Sequence, residues 1–341
     1  MNNRIDYIDF AKGGCFLLVI IGHTIQYGRI NSLIRGLIFS FHMPLFFILS
    51  CVTYKYSESI DSFFKKTKKA AKHLLTPIVI IYISSIINIT INNVNILTEK
   101  GFIRKEILSF VYMSGVKSSF AGVDIPAIGM PWFLMALFIG RTILDYLQLV
   151  VKKNEELFIV CLILSLIGIM IGNWGQLPLS IDIALSVMPL LYVGYNKKVI
   201  LEYDRLLFPF IIWIITFLLT SPTLSQRTYL ELACRRYPLY PICFICAIAA
   251  TCFISNICKL LCRLSLLNRI FVFIGRNSLF LFCIHSMDYF FNCNMIWNRT
   301  NSEMINAMIR LLFNIVVLFV VLLLKVIIKN LNKPFLGKNK E

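Results

Sequence analysis

Three of the chain's four histidines, His23, His42 and His285, lie inside long apolar runs, as do Lys12, Arg141, Asp145 and Arg276, with Asp182 near the end of another run. A charged side chain at bilayer depth costs about 2.5–3.5 kcal/mol on insertion scales, so residues of this kind are candidates for function by default. Lys12 and His23 are eleven residues apart. That is close to three helical turns, which puts them on one face and about 16 Å apart along the axis. Histidine is the usual general acid or base, with an ordinary pKa of about 6.5. A hydroxyl is a poor nucleophile until a base takes its proton, and an imidazole could supply that base. Counted from the expected helix ends, His23, His42 and His285 share the outer half of the bilayer, and Lys12 and Arg276 the inner half. The inner cations would attract a phosphate-bearing donor from the cytoplasm, while the imidazoles would meet an acceptor from outside. Each residue alone could equally be a satisfied polar group that fixes helix packing; the layering of the set favours chemistry. The fourth histidine, His73, sits at the inner membrane edge and reads as incidental.

The elements that must hold these residues follow from composition. The chain is 58% hydrophobic and 15% charged, against roughly 45–50% apolar and about 25% charged in soluble domains. There is too little polar sequence for a water-facing shell, and lipid is the fitting solvent. A spanning helix needs about 20 mainly apolar residues. That ruler predicts ten, over 8–26, 35–54, 73–91, 132–150, 157–172, 179–194, 207–221, 238–255, 270–291 and 309–328. The short apolar piece 105–113 reads as interfacial, within a long loop over 92–130. The fold class is therefore an all-α polytopic membrane bundle of about ten transmembrane helices, forming one integral-membrane domain over 1–341. Lys and Arg concentrate in alternate loops, most densely at Lys55, Lys65, Lys66, Lys68, Lys69 and Lys72. The positive-inside rule then places both termini in the cytoplasm. The first apolar run leads into Gly22-His23-Thr24 rather than a cleavage site, so it is expected to be a retained helix.

The net charge of +17 is accounted for by these loops and by anionic lipid headgroups. No basic, aromatic-rich soluble domain offers a nucleic-acid surface. Of eleven cysteines, Cys243 and Cys246 have CxxC spacing, but no second pair stands at zinc-ribbon distance, and no metal is called for. No GxSxG elbow, HExxH helix or P-loop is present.

Several strings carry a resemblance. Arg4-Ile-Asp-Tyr-Ile-Asp9-Phe-Ala-Lys12-Gly13 followed by Gly22-His23-Thr24, then Phe41-His42-Met43-Pro44-Leu45-Phe46-Phe47-Ile48-Leu49-Ser50, Pro131-Trp132-Phe133-Leu134, and Gly275-Arg276-Asn277-Ser278-Leu279 with His285 resemble the acyltransferase-3 family. These are integral-membrane O-acyltransferases that include fucose 4-O-acetylase-like proteins. The resemblance runs from about residue 4 to 328. It implies ten helices, acyl-CoA as a donor substrate used from the cytoplasmic side with no permanently bound cofactor, and a sugar acceptor, often of a surface polysaccharide. It also implies that the basic residue and the histidine of helix one, here Lys12 and His23, are the essential pair. Cys51 departs from the glycine usual after the helix-two serine, which bears on how helix two packs.

On this reading the protein is a membrane O-acetyltransferase acting on a cell-surface polysaccharide or its lipid-linked precursor, with acyl-CoA, the glycan and membrane lipids as partners. The sequence carries no signal of oligomeric state. His23 would be the general base and Lys12 would hold the donor. Arg141 and Arg276 would bind phosphates, and Asn277 and Ser278 would give hydrogen bonds in the cavity. His42 would be catalytic, or would satisfy a carbonyl freed by Pro44. His285 and Trp132 would bind substrate, although Trp132 reads at least as well as an interfacial anchor. The alternative is a secondary transporter or flippase of a small anion or lipid-linked sugar, since intramembrane Arg, Lys and His also suit a substrate path. The absence of an internal repeat counts against it.

Overall fold

In hydrocarbon no water is at hand for a bare N–H or C=O, so every crossing segment has to satisfy its backbone within itself. The computed structural model describes residues 5–25, 28–221, 229–290 and 293–331 and is built almost wholly of helices. Arg4 of the helix-one motif, Gln26 and Phe291 at expected span ends, and the basic tail beyond Leu331 lie outside the described residues.

In chain order the helices begin with α1 (Asp6–Thr24), α2 (Arg29–Phe39), α3 (His42–Val52), α4 (Ile60–Asn92) and α5 (Phe102–Tyr112). A two-stranded hairpin, β1 (Ser118–Phe120) and β2 (Val123–Ile125), pairs Ser119 with Asp124. Then come α6 (Trp132–Val150), α7 (Asn154–Trp174), α8 (Ile181–Ser186), α9 (Met188–Asn196), α10 (Lys198–Leu201), α11 (Leu207–Thr220), α12 (Ile242–Leu261), α13 (Ser265–Arg276), α14 (Ser278–Met287), α15 (Cys293–Ile296) and α16 (Glu303–Leu331). Each of the ten expected segments falls on a helix or on a pair of consecutive helices. Among the described residues six candidate spans are long and apolar enough to cross a membrane, and up to eight if each strongly bent pair counts as one. The other two expected segments fall on α1, which carries Asp6, Asp9 and Lys12, and on α11, with 14 residues.

The outward faces are apolar stripes at helical spacing. Ile80, Ile83, Ile87 and Ile91 of α4 are exposed, as are Ile159, Ile163, Leu166 and Met170 of α7 and Leu312, Phe319 and Leu323 of α16. Stripes of this extent would drive association in water, and lipid is the solvent that covers them. The third expected span is only the apolar part of α4. That helix starts at Ser59, whose Oγ accepts the Ser62 N–H at 3.2 Å, and its 33 residues extend about 50 Å. This exceeds the roughly 30 Å hydrocarbon core, so the lysines over 65–72, expected in a loop, ride on a helical extension instead.

Three expected spans are interrupted. The second, 35–54, restarts at His42, because Pro44 lacks an N–H and its ring would strike the Ser40 carbonyl in a continuous helix; in the first turn of a new helix proline costs nothing. The sixth bends by 58° between α8 and α9, with Pro189 in the first turn of α9. The ninth, 270–291, bends by 65° between α13 and α14. There the Asn277 side-chain amide donates to the Phe273 carbonyl at 2.8 Å, compensating backbone that the break leaves unpaired.

α1 runs through the middle of the bundle and packs on α13, α16, α12 and α3. Its crossing with α13 is backbone to backbone. A Cβ at Gly275 would land on the Asp9 carbonyl oxygen, and one at Gly13 on the Phe271 carbonyl oxygen. α3 meets α9 in the same way at Gly194, where an added Cβ would run into the Ile48 carbonyl and the Cys51 Cβ. Cys51 is fully buried, so the larger residue at this position is accommodated against a glycine of the partner helix.

Candidate active site

The carbonyls at the end of α1 are capped by a side chain that the sequence did not single out. Arg35, on α2, donates through Nη1 to the Gly22 carbonyl at 2.8 Å and to the Ile25 carbonyl at 3.3 Å, and through Nε to the Tyr229 hydroxyl at 3.1 Å. A guanidinium suits this place because its donors are forked and a helix C-terminus is partly negative. Its carbon lies 4.4 Å from the Phe39 ring centroid, and Phe39 in turn packs edge-on to His23, centroids 5.6 Å apart. Arg35 thus sets the position of the turn that carries His23.

Beside α1 lies a chamber of about 590 Å³. Its wall carries Lys12, Thr53, His73 and Arg141 toward one end and His23, Arg35, His42 and Glu231 toward the other. Lys12 and His23 share this chamber, as their spacing on α1 requires. Lys12 Nζ donates to Thr53 Oγ1 at 3.3 Å. The Arg141 guanidinium carbon lies 4.5 Å from the Tyr54 ring centroid. The Tyr54 hydroxyl donates to Asp145 Oδ2 at 2.9 Å, and the same buried carboxylate takes the Ser57 N–H at 2.7 Å and the Ser57 hydroxyl at 2.8 Å. Asp145 therefore pins the linker between α3 and α4 and holds Tyr54 under Arg141. His73, expected to be incidental, lines the chamber.

His42 is buried, with Nδ1 at 3.1 Å from the Ile38 carbonyl. With Nδ1 donating to that oxygen, Nε2 is the lone-pair nitrogen. Trp132 is buried in the chamber wall, its ring lying over Gly115, where an added Cβ would strike it. Ser278 lines the chamber, whereas Arg276 and Asn277 are not among its lining residues. Arg276 instead pairs with Asp6 at 2.9 Å and Asp9 at 3.4 Å on α1, because the bend after it turns its side chain along the α1–α13 crossing.

His285 is reached through His23, ring centroids 5.6 Å apart. Its Nδ1 lies 2.9 Å from Asp288 Oδ2. Arg310 of α16 clamps that carboxylate from Nε at 2.8 Å and Nη2 at 2.7 Å, and Asn314 adds a bond at 3.1 Å. Nη1 of Arg310 also donates to Thr24 Oγ1 at 3.3 Å, tying α16 to the end of α1. A carboxylate held in this way only accepts, so Nδ1 of His285 carries the proton and Nε2 is left with a lone pair. Asp288 and Arg310 were not singled out from sequence. The i,i+3 spacing of His285 and Asp288 is a local signal that could have found the first; nothing local points to the second.

On the far side of His23 a second cavity of about 310 Å³ is lined by Tyr82, Ser85, Glu106, Ser109, His285 and Arg310, among others. His23, Gly129 and Met130 line both spaces. Glu106 lies on α5, outside the spans, and burial pushes its carboxyl up.

A bundle of lipid-facing helices enclosing a chamber lined by Lys12 and Arg141 as well as by His23 and His42 defines an integral-membrane protein with an internal polar site. The chain belongs to the acyltransferase-3 family: the model of its acyltransferase domain matches residues 5–329, nearly the whole chain. It is a membrane acyltransferase, and the match decides between the two readings of the sequence in favour of the enzyme. No curated protein and no solved structure matches it.

Arg35→Gln should then lower acyl transfer about 10- to 100-fold in kcat with little change in KM, since misplacing a reacting group by about 1 Å costs on the order of 10²-fold. Arg35→Lys should not rescue it, because an ammonium cannot reproduce the fork. Steady-state rates of the two variants against wild type check this; full activity in Arg35→Lys would show that charge alone suffices.

Proposed function

We propose that this protein transfers an acetyl group from acetyl-CoA to a hydroxyl of a cell-surface polysaccharide or its lipid-linked sugar precursor, in the cytoplasmic membrane, with both termini and the Lys12 end of the chamber facing the cytoplasm. The observation that supports this best is the single chamber that Lys12 and Arg141 enter at one end and His23 at the other. Lys12 and Arg141 receive the phosphates of CoA through charge-assisted hydrogen bonds. The pantetheine arm lies along α1 and brings the thioester toward His23. His23 takes the acceptor's hydroxyl proton as its oxygen attacks the thioester carbonyl. The C–S bond breaks as the ester C–O bond is completed, and the imidazolium returns the proton to the CoA sulfur. His42 and Ser278 line the path, and Trp132 closes the wall beside it.

The test is thiol release from acetyl-CoA by protein reconstituted in nanodiscs, with acetylated glycan read by mass spectrometry. Acetyl-CoA consumption that depends on added glycan is the expected result; no consumption above a protein-free control would end the proposal. Lys12→Ala should raise the KM for acetyl-CoA about tenfold or more, corresponding to loss of a charge-assisted hydrogen bond of about 1.5–3 kcal/mol. An unchanged KM would remove Lys12 from the donor site.

A further inference from the structure

The second cavity differs from the chamber in its chemistry. Lys12 and Arg141 at the chamber's far end have no counterpart in it. Its cation, Arg310, is engaged by both oxygens of Asp288 and by Thr24, while Glu106 contributes a carboxyl. An anion entering here would meet no uncommitted positive charge among the described residues that line it, and would pay the cost of desolvation without a partner. What the wall does offer is hydroxyl chemistry. Ser85 and Ser109 present hydroxyls, and the Tyr82 hydroxyl, which donates to the Glu106 backbone carbonyl at 2.9 Å, still has an oxygen lone pair to accept with.

A second, independent observation comes from His285. It is 2% exposed and lines this cavity. Its Nδ1 is engaged by Asp288, and its Nε2 is buried without a hydrogen-bond partner. A buried acceptor left bare costs about 1–3 kcal/mol. A donor hydroxyl supplied by a ligand would remove that cost, and a bare anionic oxygen, having no hydrogen to give, would not.

We infer that the second cavity is the acceptor's binding site, that it takes a neutral sugar ring through its hydroxyls, and that His285 Nε2 accepts a hydrogen bond from one of them while the hydroxyl to be acylated points past Gly129 and Met130 to His23. The donor chamber and the acceptor cavity then meet only at the wall that holds the base. This rests on the acyl-transfer reading of the chamber, but its test does not require turnover. The sugar can come from a polysaccharide end or from a lipid-linked precursor; the recognition chemistry is the same.

The experiment is photolabelling in nanodiscs with a panel of octyl glycosides that carry a diazirine on the ring, without acyl-CoA, mapped by peptide mass spectrometry. Labelling is expected in peptides that span 81–89 and 106–109, and it should fall at least tenfold in Ser85→Trp, which fills the cavity. If Ser85→Trp is not monodisperse in size-exclusion chromatography, Glu106→Gln, nearly isosteric, is expected to weaken labelling at least threefold. Competition by the soluble methyl glycoside supports the site and points to a polysaccharide acceptor. Competition by long-chain glycosides alone supports it and points to a lipid-linked one. A hexose 1-phosphate should compete at least tenfold less well than the methyl glycoside. The inference is overturned if labelling maps to chamber peptides around Thr53 or Arg141, if no probe labels the cavity, or if a sugar-free alkyl alcohol competes as well as the glycosides. Cavity labelling in a protein that consumes no acetyl-CoA would defeat the transfer reading and leave the sugar site standing; transfer activity with labelling only in the chamber would do the reverse.

Discussion

His23→Ala is expected to lower acyl transfer by about 10²–10⁴-fold, the range a positioned general base supplies, in a protein that still inserts and folds. The size of the effect follows from where the imidazole stands. His23 borders both cavities, so a hydroxyl and a thioester brought together there have this ring between them. The fold should survive because the ring makes only ring contacts with Phe39 and His285, and the end of α1 is held separately, by Arg35 at the Gly22 carbonyl and by Arg310 at the Thr24 hydroxyl. His42→Ala, by contrast, removes the side-chain hydrogen bond to the Ile38 carbonyl and leaves it only the turn contacts from the Ser40 and Phe41 N–H groups. It should therefore cost stability, about 1 kcal/mol, as well as any direct part in the reaction. Rates of CoA release with acceptor present, measured on protein shown to be monodisperse, decide the matter. Undiminished transfer by His23→Ala would sink the assignment of the base.

Gly275→Val destabilises the protein by at least about 3 kcal/mol, the upper end of what overpacking costs in a well-packed core. The Asp9 carbonyl of α1 occupies the space where a side chain at position 275 would begin, and backbone cannot rotate away as a side-chain tip can. Separating the two helices also breaks the Arg276 pairs with Asp6 and Asp9 and shifts Lys12, which sits one residue from Gly13 in the same crossing. Gly14→Ala is the internal control. Its added Cβ would sit 3.6 Å from the Phe271 ring, an ordinary contact, and alanine is worth roughly 1 kcal/mol over glycine in a helix, so this variant should melt at or above the wild-type temperature. Thermal unfolding in nanodiscs distinguishes the two; equal melting of Gly275→Val and wild type would show that α1 and α13 do not cross in this manner.

Much of the bundle is legible in the sequence. A run of about 20 apolar residues in lipid can only be a helix, because nothing else satisfies its backbone. Hence all ten expected segments fall on helices, and the interfacial piece 105–113 falls on α5. The interruptions were less legible. Pro44 and Pro189 carry a local signal for two of them, but the bend at Asn277 occurs in a segment with no proline, and hydropathy averaged over a span does not register it.

The site divides in the same way. Lys12 and His23 were found together because both lie on one helix, where a fixed rise and 3.6 residues per turn turn spacing into geometry. His285 and Asp288 are close for the same reason. Tertiary structure alone decided that Arg276 turns to Asp6 and Asp9, some 270 residues earlier in the chain, that Arg35 caps α1, and that Arg310 clamps Asp288. Those partnerships depend on which helix faces which, and lipid-facing apolar surface is nearly interchangeable from one helix to the next. The sequence by itself determined the helices and the stripe on α1; the packing of separate helices decided that this stripe borders two cavities rather than one, because a cavity is the space that several helices leave between them and no single helix encodes it.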